Sequence, residues 1–271
     1  MNARPVAFIT GAAHGIGAAT AAAFARSGYA VALLDRDHNG LESMAEQIRE
    51  EGGESLLHAV DLFDLDAARA AVDATLARWD RLDALINNAA WRTHQTMRTI
   101  DVETWERTLR ICLTAPAFLA KWAAQAMQER GLRGAIVNVS SMMSERAGGI
   151  SPAYVTSKGG LDALTYELAA LYGPVGIRVV AVNPGWVDTE LSNDYATPDG
   201  ASLSAQITAA ARDQVPLGRA GTPEEIAKAL VWLAGPDASY ITGARLLIDG
   251  GWLHHHTNYS LHRLQFPEEF P

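Results

Sequence analysis

Short apolar, β-branched runs alternate with longer stretches of helical spacing along almost the whole chain, and that rhythm constrains the fold more than any single motif. A run that is apolar at every position must be covered on both faces, as strands are in a parallel sheet between crossover helices. Seven short, mostly apolar runs approach this description: residues 6–10, 30–34 with Asp35 at the end, 55–60, 84–87, 135–140, 178–182 and 245–248. Helical patterns fill the intervals. The first covers residues 16–27 and stops at Gly28, while Thr222, Pro223 and Glu225 form a capping-box signal for a helix over residues 223–234. The expectation is an α/β chain with one doubly wound domain, residues 1–251, on a predominantly parallel seven-stranded sheet. Residues 252–271 form a C-terminal extension. A hydrophobic content of 48% with only 7% aromatic residues suits Ala-, Val- and Leu-rich helices packed on a buried sheet.

The same composition narrows the partners. A formal charge of −9 repels a phosphate backbone, so no nucleic acid is expected. The single cysteine, Cys112, rules out an intramolecular disulfide and agrees with a reducing, cytoplasmic setting. No apolar run approaches the roughly 18 to 20 residues that cross a bilayer, so no membrane is expected either.

Thr10-Gly11-Ala12-Ala13-His14-Gly15-Ile16-Gly17 links the first strand to the first helix. Glycines there permit a tight turn and bring backbone N–H groups up to a pyrophosphate at the positive end of the helix dipole. Asp35, at the end of the second strand, is placed to accept from a ribose 2′-hydroxyl. It would repel a 2′-phosphate by about 4 kcal/mol at about 4 Å and an effective dielectric of about 20. The cofactor expected is therefore NAD, with the neighbouring Arg36 as the counter-argument.

Tyr154 and Lys158 stand at i and i+4 on one face of a helix expected to begin near Ala153. A free phenol ionises near pH 10, so a tyrosine acting as a base at neutral pH needs positive charge beside it, which Lys158 can supply. Ser141 follows the strand at residues 135–140 and carries a hydroxyl able to hold a substrate oxygen.

The glycine turn, Asn87-Asn88-Ala89, Ser141, Tyr154 with Lys158, and Pro184-Gly185 with Thr189 occur in the order found in short-chain dehydrogenase/reductases. The chain resembles that family over about residues 6–251, and the resemblance implies a single Rossmann domain. It further implies that Gly11, Gly15, Ile16 and Gly17 surround a pyrophosphate, Asp35 binds the adenosine ribose, and Asp61 and Leu62 contact adenine. Asn87 and Ala89 would lie on the cofactor side, and Pro184, Gly185, Val187 and Thr189 around the nicotinamide. Tyr154 would take the hydroxyl proton of a secondary alcohol as hydride leaves for NAD, Ser141 would orient the oxygen, and Lys158 would hold the ribose. No metal is implied, and a homodimer or homotetramer is expected.

Departures from the pattern are informative. Cys112 stands where the family usually has an asparagine belonging to a proton relay, and a thiol is not expected to replace an amide's donor and acceptor. Ala90 replaces a common glycine. The extension holds Trp252, His254, His255, His256, Tyr259, His262, Phe266 and Phe270, expected to pack on the domain or a neighbouring subunit. Residues 188–221 lack a strand pattern and form a candidate substrate lid. Trp91, Arg92, His94, Met143, Glu145, Trp186, Asn193 and Tyr195 are candidate substrate contacts, a mixture that suits a sugar or polyol. Two other readings remain beside this one. An NADPH-dependent 3-ketoacyl reductase is opposed by Asp35; a catalytically weakened cofactor-binding protein is opposed by the intact Ser141, Tyr154 and Lys158.

Overall fold

The computed structural model describes residues 4–192, 195–197 and 199–270. Among them, seven strands form one sheet: β1 (Val6–Thr10), β2 (Ala30–Asp35), β3 (Glu54–Ala59), β4 (Ala84–Asn87), β5 (Ala135–Val139), β6 (Arg178–Pro184) and β7 (Arg245–Ile248). Their order is β3-β2-β1-β4-β5-β6-β7 and every pairing is parallel. The strand order reverses between β1 and β4, the switch point where a crevice opens at the carboxyl ends of the strands.

Side chains of β1 explain why the sheet is buried on both faces. Val6 and Phe8 enter one apolar cluster, and Ala7 and Ile9 the other, as the period of two requires. The first cluster is closed by α3 (Leu65–Trp79), α5 (Ala115–Glu129) and α6 (Pro152–Tyr172). The second is closed by α1 (Gly15–Arg26), α2 (His38–Glu50) and α8 (Pro223–Ala234). Between α3 and α5 the chain also forms α4 (Val102–Leu109), and a π-helical turn at Arg110–Thr114 joins α4 to α5.

The capping box at α8 forms as expected, with Thr222 Oγ1 accepting from Glu225 N–H and the Glu225 carboxylate accepting from Thr222 N–H at 2.9 Å. The strands differ from the sequence expectation only at their ends; β6 runs on to Pro184, because the edge of β7 pairs with it as far as Ile248.

Residues 188–221 leave the sheet and return to the same place. Val187 bridges Gly221 in parallel, so the two ends of the excursion are clamped together, and α7 (Ser204–Arg212) lies within it. The C-terminal extension, with α9 (Tyr259–Gln265), packs against the end of this flap within the same chain. Tyr259 N–H donates to the Asp213 carbonyl at 2.9 Å, and Ser260 donates through both N–H and hydroxyl to the Asp213 carboxylate at 2.7 Å. Arg146 completes the junction by donating to the carbonyls of Trp252 and His255 and to the Gln214 side chain. Among the described residues, no helix is long and apolar enough to cross a membrane.

Candidate active site

The turn after β1 is shaped by a requirement for missing side chains. A Cβ on Gly17 would lie 1.8 Å from the Gly11 carbonyl oxygen, and one on Gly11, whose φ is +67°, would lie 2.8 Å from Asn88 Nδ2. Only glycines allow α1 to start this close to the strand. Asn88 then locks the turn, donating from Nδ2 to the carbonyls of Thr10 (3.0 Å) and Gly11 (3.2 Å). Thr10 Oγ1 accepts from the N–H groups of Asn88 and Ala89, both at 3.0 Å. Sequence reasoning passed over Asn88, whose signal was its place inside the Asn-Asn-Ala motif. Gly15 and Ile16 open α1, so its unpaired N–H groups face the space above the turn. Thr189 reaches across from the flap to within 3.2 Å of the position a Gly15 Cβ would take.

Asp35 ends β2 with its carboxylate held in place by backbone. Oδ2 accepts from Ala13 N–H and Oδ1 from Asp37 N–H, each at 3.1 Å, leaving lone pairs on both oxygens for a further donor. A cleft beside it is lined by Gly11, Asp35, Asp61, Leu62 and Ala89, together with Arg36, Val60, Ala90, Trp91 and Ile111, which the motifs did not single out as cofactor-side residues. Asp61 accepts from Arg107 Nη2 at 2.6 Å, and the Arg107 guanidinium lies over the rings of Phe63 and Trp91 at 5.3 and 5.5 Å. A hollow of about 540 Å³ between α3 and α5, bordered by Arg69, Trp122 and Arg130, contains none of the expected site residues.

Asn87 ends β4. Its amide is buried in the sheet, donating to Asn138 Oδ1 at 2.9 Å and to the Pro116 carbonyl at 3.3 Å, so the side chain couples β4 to β5 and α5. Pro184 ends β6 and Gly185 follows it, packed so closely on Asp249 that a Cβ would lie 2.6 Å from the Asp249 Cβ. Val187 is buried at the base of the flap.

Tyr154 and Lys158 share one face of α6 and are both buried, with Lys158 Nζ 5.4 Å from the Tyr154 ring centroid. Nζ donates to the Val139 carbonyl at 2.7 Å, which brings the ammonium under the end of β5. One residue beyond β5, the Ser140 hydroxyl donates to the Lys158 carbonyl at 3.1 Å. Ser141 follows, nearly buried, its Oγ accepting from Met143 N–H at 3.1 Å and retaining its own proton for a ligand. Tyr154 and Lys158 thus meet under the carboxyl end of β5, and Ser141 follows that strand two residues on.

Cys112 is held by the backbone of Trp91. The thiol is fully buried in the π-helical turn and makes both kinds of contact, accepting from Trp91 N–H at 3.3 Å and donating to the Trp91 carbonyl at 3.4 Å. A sulfur can bridge one residue's N–H and C=O because its larger radius tolerates these longer distances. Burial pushes the thiol's pKa above its ordinary value, with the Lys158 charge pulling the other way.

Of the candidate substrate contacts, Arg92, His94 and Tyr195 gather near Tyr154. The Arg92 guanidinium is 5.9 Å from the Tyr154 ring and 5.7 Å from that of Tyr195, the His94 ring lies tilted against Tyr195 with centroids 4.2 Å apart, and Arg92 Nη2 donates to the Leu191 carbonyl. Met143 borders Ser141, and Trp186 sits at the flap's base through its carbonyl bond to Gly221. Glu145 is engaged elsewhere, 2.7 Å from Arg245, and Asn193 lies outside the described residues.

Comparison with known proteins agrees with this geometry. A family model described as enoyl-(acyl carrier protein) reductase matches residues 11–253. Cis-4-hydroxycyclohexanecarboxylate dehydrogenase of Sinomonas cyclohexanicum is 38% identical over 251 residues, 92% of this chain and 97% of that protein. D-threitol dehydrogenase of Mycolicibacterium smegmatis is 36% identical over 248 residues, 91% of this chain and 92% of that protein. A solved structure from Beutenbergia cavernae, with NADP bound at low occupancy, is 33% identical with a TM-score of 0.84, covering 93% of this chain and 98% of that one. The chain belongs to the short-chain dehydrogenase/reductase family and is a nicotinamide-dependent oxidoreductase acting on CH–OH groups.

Proposed function

We propose that this chain is an NAD-dependent dehydrogenase that interconverts a secondary alcohol and a carbonyl on a hydroxylated small molecule, a sugar or polyol. The observation that carries the reading is the pairing of Tyr154 and Lys158 on one face of α6, with the Lys158 ammonium bonded under the end of β5 two residues before Ser141, beside a glycine turn that opens α1. The residues present fit a dinucleotide. The N–H groups at the start of α1 would hold the pyrophosphate, Asp35 the adenosine ribose hydroxyls, and Thr189 and Pro184-Gly185 the nicotinamide end. When bound, the nicotinamide ring supplies the hydride acceptor or donor.

The chain's own residues handle the proton and the oxygen. Ser141 Oγ donates to the substrate oxygen, fixing it in front of the Tyr154 hydroxyl. Tyr154 takes the alcohol proton at Oη in oxidation and returns it in reduction, a general acid/base role worth about 10² to 10⁴ in rate. Lys158 supplies positive charge below the ring, fixed there by the Val139 carbonyl. On this reading Cys112 serves packing, its thiol holding the Trp91 backbone by both groups inside the π-helical turn.

Substrate choice follows from the polar wall of Arg92, His94 and Tyr195 over Tyr154, which favours a ligand bearing several hydroxyls over a long acyl chain. Relatives named for D-threitol and for a hydroxylated cyclohexane acid support the same class. Assembly as a homodimer or homotetramer is part of the proposal. The test is a panel of polyols, sugars and simple secondary alcohols with NAD or NADP, read by absorbance of the reduced cofactor. Turnover of polyols or sugars with NAD is the expected outcome; activity confined to 3-ketoacyl substrates with NADPH would replace the reading.

A further inference from the structure

Asp162 is a buried carboxylate that the reaction as described does not use. It lies on α6 one turn beyond Lys158 and two beyond Tyr154, on their face of the helix, with only 4% of its surface exposed. A carboxylate in such a place is costly unless strongly partnered, and an apolar side chain would fill the space at lower cost. Its partners show what it is connected to. Asp162 Oδ2 accepts from Asn183 Nδ2 at 3.0 Å and from Arg245 Nη1 at 3.3 Å. Asn183 sits on β6 and is itself buried, and the same Nδ2 lies 3.1 Å from the carbonyl of Ser141 and 3.2 Å from Ser144 Oγ. An amide nitrogen has two hydrogens, and the charged carboxylate claims one. The other is shared between the Ser141 carbonyl and Ser144 Oγ, which itself donates to that carbonyl at 2.9 Å, so both routes end on the Ser141 peptide.

Arg245 closes the arrangement from the edge strand. Its guanidinium is 2.7 Å from Glu145, so it ties Asp162 to the short helical turn that follows Ser141. β6, β7, α6 and the turn that follows β5 are thereby fastened around one peptide group. That peptide carries the serine whose hydroxyl must meet the substrate oxygen.

We propose that Asp162 is a positioning residue, which orients Asn183 to hold the Ser141 carbonyl and thereby aims the Ser141 hydroxyl at the substrate; the proposal rests on the reading of Ser141 given above. Truncating Asp162 frees Asn183 and Arg245, and through Asn183 loosens Ser141. Misplacement of a catalytic group by a fraction of an ångström lowers turnover, and about a tenfold loss in kcat is expected for Asp162→Ala. Asp162→Asn keeps an acceptor oxygen facing Asn183 and recovers most of that loss.

The experiment is a double-mutant cycle in the full-length protein, with a substrate taken from the polyol and sugar panel. Asp162→Ala and Asp162→Asn are each made in the parent and in a Ser141→Ala background, with cofactor KM and circular dichroism recorded throughout. If Asp162 acts through Ser141, the tenfold loss in the parent shrinks to less than about twofold once Ser141 is gone. Equal losses in both backgrounds, or parent-like kcat in Asp162→Ala, overturn the proposal. Parent-like kcat in Ser141→Ala instead overturns the role of Ser141, so the two failures are distinct. Should Asp162→Ala not fold, Arg245→Gln is put through the same cycle with the same expected pattern and the same overturning results.

Discussion

Replacing Asp35 by asparagine isolates the charge that sets cofactor choice. Asparagine keeps one oxygen for the Ala13 or Asp37 N–H, so the turn stays anchored, whereas alanine would release both backbone bonds. A 2′-phosphate held about 4 Å from the carboxylate meets a repulsion of about 4 kcal/mol at an effective dielectric of about 20. Asp35 is partly exposed at the strand end, and screening at physiological salt reduces the figure to about 2 kcal/mol. That corresponds to a preference of about 30-fold, since about 1.4 kcal/mol is tenfold. Asp37 adds to the barrier, because the Gly40 N–H and the His14 ring hold its carboxyl below the usual range and keep it ionised. The variant should therefore lose about 30-fold in the NAD-to-NADP ratio of kcat/KM without fully inverting it. Initial rates with each cofactor at a fixed alcohol concentration give the ratio. A parent enzyme indifferent to the 2′-phosphate, or a ratio unmoved in Asp35→Asn, would refute the reasoning.

Other sites make further demands. Cys112→Asn should retain turnover within about threefold, because the amide can make the two contacts with the Trp91 backbone that the thiol makes now; a loss beyond about a hundredfold would show that the sulfur is required. Burial and a raised pKa should also leave the Cys112 thiol unreactive toward an aromatic disulfide reagent at about pH 8 until the protein is unfolded, so stoichiometric labelling of the native chain would contradict its placement. Deleting residues 252–271 removes the bonds to Asp213, Gln214 and Arg146 and should raise substrate KM through a loosened flap, with cofactor KM unchanged; identical kinetics in the truncated protein would make the extension dispensable.

The sheet was legible because its signal is local. Val6 to Thr10 is apolar enough to demand cover on both faces, and the fold provides it on opposite sides at alternate residues. The turn and the pairing of Tyr154 with Lys158 were equally readable, since both depend on spacing within one element. What escaped depends on residues far apart. Cys112 meets the backbone of Trp91 across 21 positions, and no property of the thiol alone announces a partner at the right distance. Asn87 turns toward Asn138, 51 positions away, so the motif located the residue and left its side-chain direction open. The aromatic content of the extension marked it as packed, but the surface it covers is set by Asp213 and Arg146, two polar residues with no distinguishing local pattern. Asp162 was silent for the same reason.

The central claim is that Tyr154 moves the proton while the rest of the site holds cofactor and substrate. Tyr154→Phe preserves the ring beneath Arg92 and beside Lys158 and removes only the hydroxyl. The direct measurement is kcat of this variant on a substrate from the panel, with NAD binding followed in parallel by calorimetry. A fall of about 10² to 10⁴ in kcat is expected, with cofactor affinity unchanged. Parent-like turnover in Tyr154→Phe would contradict the claim.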